Sequence, residues 1–242
     1  MLNTIFFDLD GTLLRFTQKA FIDTYFGELT KVFVRLGLNP ELAIKAVWAG
    51  TKSMVQNDGA FFNAKRFWDT FAEFTGLNFD KLTEVEAACD SFYTNEFDTV
   101  KSILNHSDIP TRIIQNLKRK GYHLVLATNP LFPLCAILTR LTWVDIDPSC
   151  FSLITHYSNS KYCKPNLDYY KEILTKIGKD SQECMMIGNN PAEDMIAADL
   201  GMKVFLVTDY MEDDTNIDIT KYRRGSLVEL EATLSLLPDT RQ

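Results

Sequence analysis

Thr4-Ile5-Phe6-Phe7-Asp8-Leu9-Asp10-Gly11-Thr12 is the stretch that decides the fold. Four residues, β-branched or aromatic, run without a polar break, as in a strand buried on both faces of a parallel sheet. The run stops on two aspartates spaced two apart, so in extended chain both side chains point the same way. Gly11 then permits a sharp turn. Working outward, the same short apolar run stopped by polar residues recurs. Tyr122–Ala127 ends at Thr128-Asn129-Pro130, and Phe151–Thr155 leads into a polar loop before Lys164-Pro165. Cys184–Ile187 ends at Gly188-Asn189-Asn190, and Lys203–Val207 ends at Thr208-Asp209. Helical patterns over Ile109–Lys120, Leu167–Ile177 and Pro191–Leu200 stop at Gly121, Gly178 and Gly201, where a helix end favours a left-handed residue. Strand and helix in alternation predict an α/β fold with a parallel sheet.

Between the first two strands the rhythm breaks. Residues 16–100 contain no convincing strand but four helical patterns, with Phe21, Phe26, Leu29, Val32 and Leu36 on one stripe of the first. Breaks fall at Gly37-Leu38-Asn39-Pro40, Asn57-Asp58-Gly59 and Thr75-Gly76-Leu77-Asn78. So long a helical stretch exceeds a simple crossover and predicts a second, all-helical unit over residues 16–100, carried on a core of residues 1–15 and 101–242. Glu212-Asp213-Asp214 reads as a solvated loop.

Composition narrows the partners. The 242 residues carry 25 Lys and Arg against 32 Asp and Glu, a net charge of −7. No basic face is implied, which argues against nucleic acid and anionic membrane. No apolar stretch is long enough to span a bilayer. The cysteines at 89, 135, 150, 163 and 184 are odd in number and form no CxxC pair, as expected of thiols in a reducing compartment, so the cytoplasm is the expected location.

Ligands bind at the carboxyl edge of such sheets, and there the polar residues collect: Asp8, Asp10, Thr128, Lys164 and Asn189 through Asp194. Two carboxylates, a hydroxyl and an ammonium suit phosphoryl transfer through a carboxylate nucleophile, with a second carboxylate as acid and base. A hard divalent cation, expected to be Mg²⁺, would offset repulsion between nucleophile and phosphate.

Asp8-Leu9-Asp10-Gly11-Thr12, Thr128-Asn129, Lys164-Pro165 and Gly188-Asn189-Asn190-Pro191-Ala192-Glu193-Asp194 together resemble the four ordered motifs of the haloacid dehalogenase superfamily. The helical insertion resembles that superfamily's C1-type cap. The resemblance implies a Rossmann-like core, Asp8 as nucleophile and metal ligand, and Asp10 as acid/base with its backbone carbonyl on the metal. It further implies Thr128 and Lys164 at the phosphoryl group, Asn129 cradling the phosphate through its backbone N–H, and Asp194 on the metal side. Members that cleave carbon–halogen bonds lack an acid/base at the Asp10 position, so its presence favours a phosphatase acting on a small phosphorylated metabolite. A phosphosugar mutase and a non-catalytic phosphometabolite-binding module are the alternatives.

Two departures stand out. The fourth motif usually opens Gly-Asp and here opens Gly188-Asn189, giving Asn189 as a neutral metal ligand and leaving the anionic ligation to Asp194, with Glu193 as its rival. Lys161 competes with Lys164 for the lysine role, and Lys-Pro before a helix start favours Lys164. His106, His123 and His156 lack ligand spacing, Cys163 lacks a paired histidine, and Trp48, Trp68 and Trp143 read as core. Lys52 and Arg66 read as a solvated helix face, the other reading being contact with a substrate's remote end. Neither substrate nor oligomeric state is legible.

Overall fold

The computed structural model describes residues 1–212 and 217–241. Strands β1 (Thr4–Phe7), β2 (His123–Leu126), β3 (Leu153–Ile154), β4 (Cys184–Gly188), β5 (Lys203–Val207) and β6 (Arg224–Gly225) form one parallel sheet in the order β3-β2-β1-β4-β5-β6. This is the expected Rossmann-like α/β core. The two-residue β6 carries no apolar run, which is why the pattern does not reveal it. β1 is central, pairing Phe7 with Leu126 on one side and with Ile187 on the other. Three strands therefore end level. Ala127 N–H donates to Phe7 C=O at 2.7 Å, and Asp8 N–H to Ile187 C=O at 2.9 Å. This register sets Asp8 level with Ala127 and Gly188, so Thr128 and Asn189 follow one residue further on along either side of it.

The first four helices after β1 are α1 (Gln18–Arg35), α2 (Pro40–Val55), α3 (Asn63–Thr75) and α4 (Phe79–Asn95). Thr17, Asn39 and Asn78 cap α1, α2 and α4 by accepting backbone N–H groups, and Pro40 opens α2 where no donor is needed. α1 buries Phe21, Tyr25, Leu29, Val32 and Phe33, while Phe26 and Leu36 of the expected stripe are half-buried. A 3₁₀ turn, Phe97–Ile103, leads back to the core. The chain leaves and re-enters the core at adjacent points, where Asn105 N–H donates to Arg15 C=O at 2.8 Å. At the start of α3 the Asn63 side chain donates to Pro130 C=O and Cys163 Sγ, and Asn63 N–H donates to Ser160 C=O.

The core helices are α5 (Ile109–Arg119), α6 (Leu134–Thr142), α7 (Leu167–Ile177) and α8 (Leu227–Ser235). Residues 191–200 do not form the expected α-helix. Residues 191–194 turn, and only Met195–Leu200 is helical, as a 3₁₀ segment ending at left-handed Gly201. The Asn190 side-chain oxygen takes the N–H groups of Ala192 and Glu193 in the manner of a cap, and Asp194 N–H donates to Asn190 C=O at 2.9 Å, closing the turn. Asp213 and Asp214 lie outside the described residues. Glu212, read as solvated, is half-buried, accepts from Asn190 Nδ2 at 3.1 Å and donates its N–H to Asn189 C=O. No helix among the described residues is long and apolar enough to cross a membrane.

Aromatic rings join the insertion to the core. Phe97 is fully buried and meets Phe21, Tyr25, Phe92 and Tyr93 of the insertion and Trp143 of the core, with ring centroids 5.2–6.3 Å apart. Truncating a buried phenylalanine costs about 3–5 kcal/mol. Phe97→Ala is expected to destabilise the protein by that amount, read as the shift in a urea unfolding curve. A loss below about 1 kcal/mol would show that the two parts do not share this core.

Candidate active site

Asp8 stands directly beyond the end of β1, 8% exposed, and Lys164 reaches it from the β3–α7 loop. The Lys164 ammonium donates to Asp8 Oδ1 at 2.8 Å and to Asp194 Oδ1 at 2.6 Å, and both Lys164 and Asp194 are 1% exposed. Lys161 lies elsewhere, its ammonium over the Phe62 ring, so the structure puts Lys164 in the cluster. Asp194 packs so closely on β4 that a Cβ at position 188 would fall 2.1 Å from Asp194 Oδ2. Gly188 is therefore required, and that same oxygen accepts from Asn190 N–H at 3.0 Å.

On the other side, the buried Thr12 hydroxyl lies 3.4 Å from Asp8 Oδ2 and 3.2 Å from Asn189 Oδ1. Asn189 Nδ2 donates to Tyr210 C=O at 2.6 Å, which fixes the amide oxygen toward Asp8. Gly11, at φ +77°, lets the Asn189 side chain sit where a Cβ would be, 2.1 Å from Nδ2. Thr128 lines the same space. Its carbonyl accepts from Thr155 and Tyr169, while its hydroxyl has no hydrogen-bond partner among the described residues. The Asn129 side chain bridges two loops: Nδ2 donates to Glu193 Oε2 at 3.1 Å and Oδ1 accepts from Lys164 N–H at 3.3 Å. It thus braces the loops after β2, β3 and β4 against one another.

Asp10 is held separately. Arg140, fully buried on α6, donates to Asp10 Oδ2 at 2.5 Å, and Asp10 Oδ1 is buried with no partner among the described residues. The Arg140 guanidinium lies 4.5 Å from the Phe132 ring centroid, a cation–π contact that helps replace lost hydration. Sequence reading missed Arg140. The signal was a charge on the apolar stripe Ala136, Ile137, Arg140, Leu141, where a helix facing the core has no reason to place one unless it is paired. Also missed were Tyr169 and Tyr170, whose hydroxyls donate to Thr128 C=O and Glu193 C=O and tie both loops to α7.

Negative charge exceeds positive at this strand edge. Burial pushes the Asp8 carboxyl up; Lys164 opposes this, Asp194 and Asp10 add to it, and the group settles at about 8. Burial likewise raises Glu193 to about 7, against the pull of Lys164. Burial alone would lower Lys164, but the carboxylates of Asp194 and Asp8 hold it well above its usual range. Among the described residues no three His, Cys, Asp or Glu side chains form a metal-binding group. What converges instead is oxygen of mixed type: Asp8 Oδ2 and Asn189 Oδ1 on one hydroxyl, with Asp194 alongside. An all-oxygen set in a site short of positive charge fits a hard divalent cation and not a soft one.

The three histidines stay outside this cluster, and all five cysteines are unpaired. Trp143 is core as expected, whereas Trp48 and Trp68 line the cavity above Asp8.

A family model for haloacid dehalogenase-like hydrolases matches residues 2–200. The chain belongs to that family. This haloacid dehalogenase-like hydrolase is 23% identical over 199 residues to the pyrophosphatase PpaX of Bacillus velezensis, covering 82% of this chain and 80% of the relative. A 2-haloacid dehalogenase from Pseudomonas syringae pv. tomato superposes with a TM-score of 0.62, with 16% identity and coverage of 97% of this chain and 99% of that one. A predicted phosphoglycolate phosphatase from Haemophilus somnus gives a TM-score of 0.59, 17% identity and coverage of 96% and 97%. At such identities the two structures share the fold, and they stand on different chemistries. The choice between those chemistries rests with the hydrolase's own residues.

Removing one partner of a buried ion pair costs about 3–5 kcal/mol. Arg140→Gln is expected to destabilise this hydrolase by that amount, and Asp10→Asn to cost less in the Arg140→Gln background than alone. A denaturant double-mutant cycle with no coupling would show that the pair does not form in solution.

Proposed function

We propose that this hydrolase is a Mg²⁺-dependent phosphatase of a small phosphorylated metabolite, working through an aspartyl-phosphate on Asp8. In this reading residues 16–100 are a cap over a core of residues 1–15 and 101–242, and the protein works in the cytoplasm, a location that its five unpaired thiols support. The observation that carries it is the pair of carboxylates at one strand end held by different cations, Asp8 by Lys164 and Asp10 by Arg140. Separate anchoring gives separate roles. Asp10 is the group a dehalogenase does without, and PpaX, whose name assigns it phosphoryl chemistry, supports the same branch.

Asp8 attacks phosphorus, forming an acyl-phosphate bond as the bond to the leaving oxygen breaks. Asp10 gives that oxygen a proton through its unpartnered Oδ1, then takes one from the water that hydrolyses the aspartyl-phosphate. Phosphate departs and both carboxylates are restored. Lys164, the Thr128 hydroxyl and the Asn129 N–H stabilise the phosphoryl oxygens. Lys164 also fixes Asp8 in line by holding Oδ1, and Asp194 keeps the ammonium in place. A Mg²⁺ ion held by Asp8, the Asp10 carbonyl, Asn189 and Asp194 would supply positive charge against repulsion between nucleophile and phosphate.

The test is phosphate release from p-nitrophenyl phosphate, expected with Mg²⁺, abolished by EDTA and restored by excess Mg²⁺. Asp8→Asn is expected to lower kcat by about 10³-fold or more, Asp10→Asn by about 10²–10⁴-fold and Lys164→Met by about 10²–10³-fold. Full activity in Asp8→Asn would overturn the mechanism.

A further inference from the structure

From Asp8, Asp10 and Thr128 a cavity of about 220 Å³ runs into the helical insertion. Its far walls are rings: Phe21 and Tyr25 of α1, Trp48 of α2, Phe67 and Trp68 of α3, and Phe132 from the core. Several meet edge to face, Tyr25 with Phe132 at 69° and Phe67 with Trp68 at 90°, the geometry in which a further ring is also accepted. An apolar cavity of about 150 Å³ is enough to take up benzene, so there is room for a ring beside the phosphoryl group.

Charge sharpens the choice. Among the described residues no lysine or arginine lines this cavity, and residues 213–216, Asp-Asp-Thr-Asn, add no cation in sequence. Lys164 is committed to Asp8 and Asp194, and Arg140 to Asp10. In the insertion Lys52 is exposed and Arg66 faces Asp58 at 3.7 Å, so neither reaches a substrate's remote end. Polar groups toward the far end offer an anion only neutral donors. The Tyr25 and Tyr93 hydroxyls share one hydrogen bond at 2.6 Å, the Trp68 indole N–H has no hydrogen-bond partner among the described residues, and Asp90 in the lining repels negative charge. A second phosphate or a carboxylate would enter with no cation to pair it.

We propose that the substrate is a phosphate monoester whose leaving group carries an uncharged aromatic or comparably apolar body, and that the enzyme discriminates against a second anionic group. This rests on the phosphatase reading above. Small dianionic metabolites and pyrophosphate are then poor substrates, although pyrophosphate is the compound named for the relative PpaX.

The test compares 2-phenylethyl phosphate with ethyl phosphate and phosphoglycolate, all esters of aliphatic alcohols, and with pyrophosphate, each with Mg²⁺. The expected result is a kcat/KM for 2-phenylethyl phosphate about 100-fold or more above that for phosphoglycolate and pyrophosphate. It should also exceed that for ethyl phosphate by about tenfold or more. Equal or better turnover of phosphoglycolate or pyrophosphate overturns the proposal and leaves the phosphatase reading standing. No phosphate release from any ester defeats both. Two variants locate the effect. Trp48 is 48% exposed, so Trp48→Ala puts little stability at risk; it is expected to lower the phenylethyl-to-ethyl ratio about tenfold. Thr51→Arg, which puts a cation in the cavity wall, is expected to raise phosphoglycolate relative to 2-phenylethyl phosphate about tenfold. Ratios unmoved in both variants show that the leaving group does not occupy this cavity.

Discussion

A single ammonium holds the strand edge together. Lys164 is withdrawn from water and bonded to two carboxylates that come from the ends of β1 and the loop after β4. Burying one such charge without partners would be prohibitive, and burying two carboxylates side by side would be worse. Three loops distant in sequence therefore fold to a stable arrangement only together. Gly188 must lack a side chain, Asn190 must turn the backbone early, and Asn129 must brace the lysine's own N–H, because each lets those three charges meet.

The second ion pair follows a different logic. Asp10 is two residues from Asp8 yet is anchored from α6, through an arginine that lies against Phe132 and Phe21. Those rings are also walls of the cavity. The carboxylate proposed for proton transfer and the surface proposed for the leaving group thus meet through Arg140, which touches Phe21, Phe132 and Asp10. Packing in the cavity and orientation of Asp10 are coupled through that one side chain.

Most of the sheet was legible because buried parallel strands leave an unmistakable trace. Thr4–Phe7 and Lys203–Val207 have the expected limits, and the three strand ends carry Asp8, Thr128 and Asn189 as read. Short motifs spelled the site because phosphoryl chemistry permits few residue types at those ends. What stayed hidden depends on three-dimensional neighbours. β6 has two residues and no apolar run, the segment after Asn190 has helical periodicity yet winds as a turn and a 3₁₀ segment, and Trp48 and Trp68 have the ordinary look of core. Arg140 could have been noticed as a charge on an apolar stripe, but its partner could not, since 130 residues separate it from Asp10.

The hydrogen bond from Asn105 to Arg15 has a consequence for how such a molecule diversifies. Since the chain leaves and rejoins the sheet-bearing part at neighbouring points, the segment between them has its two covalent attachments in one place, beside the ring cluster that packs it down. Helices there can lengthen, shorten or change their lining without shifting the register of β1 against β2 and β4. Change in that segment thus leaves the strand ends that carry Asp8, Thr128 and Asn189 where they are.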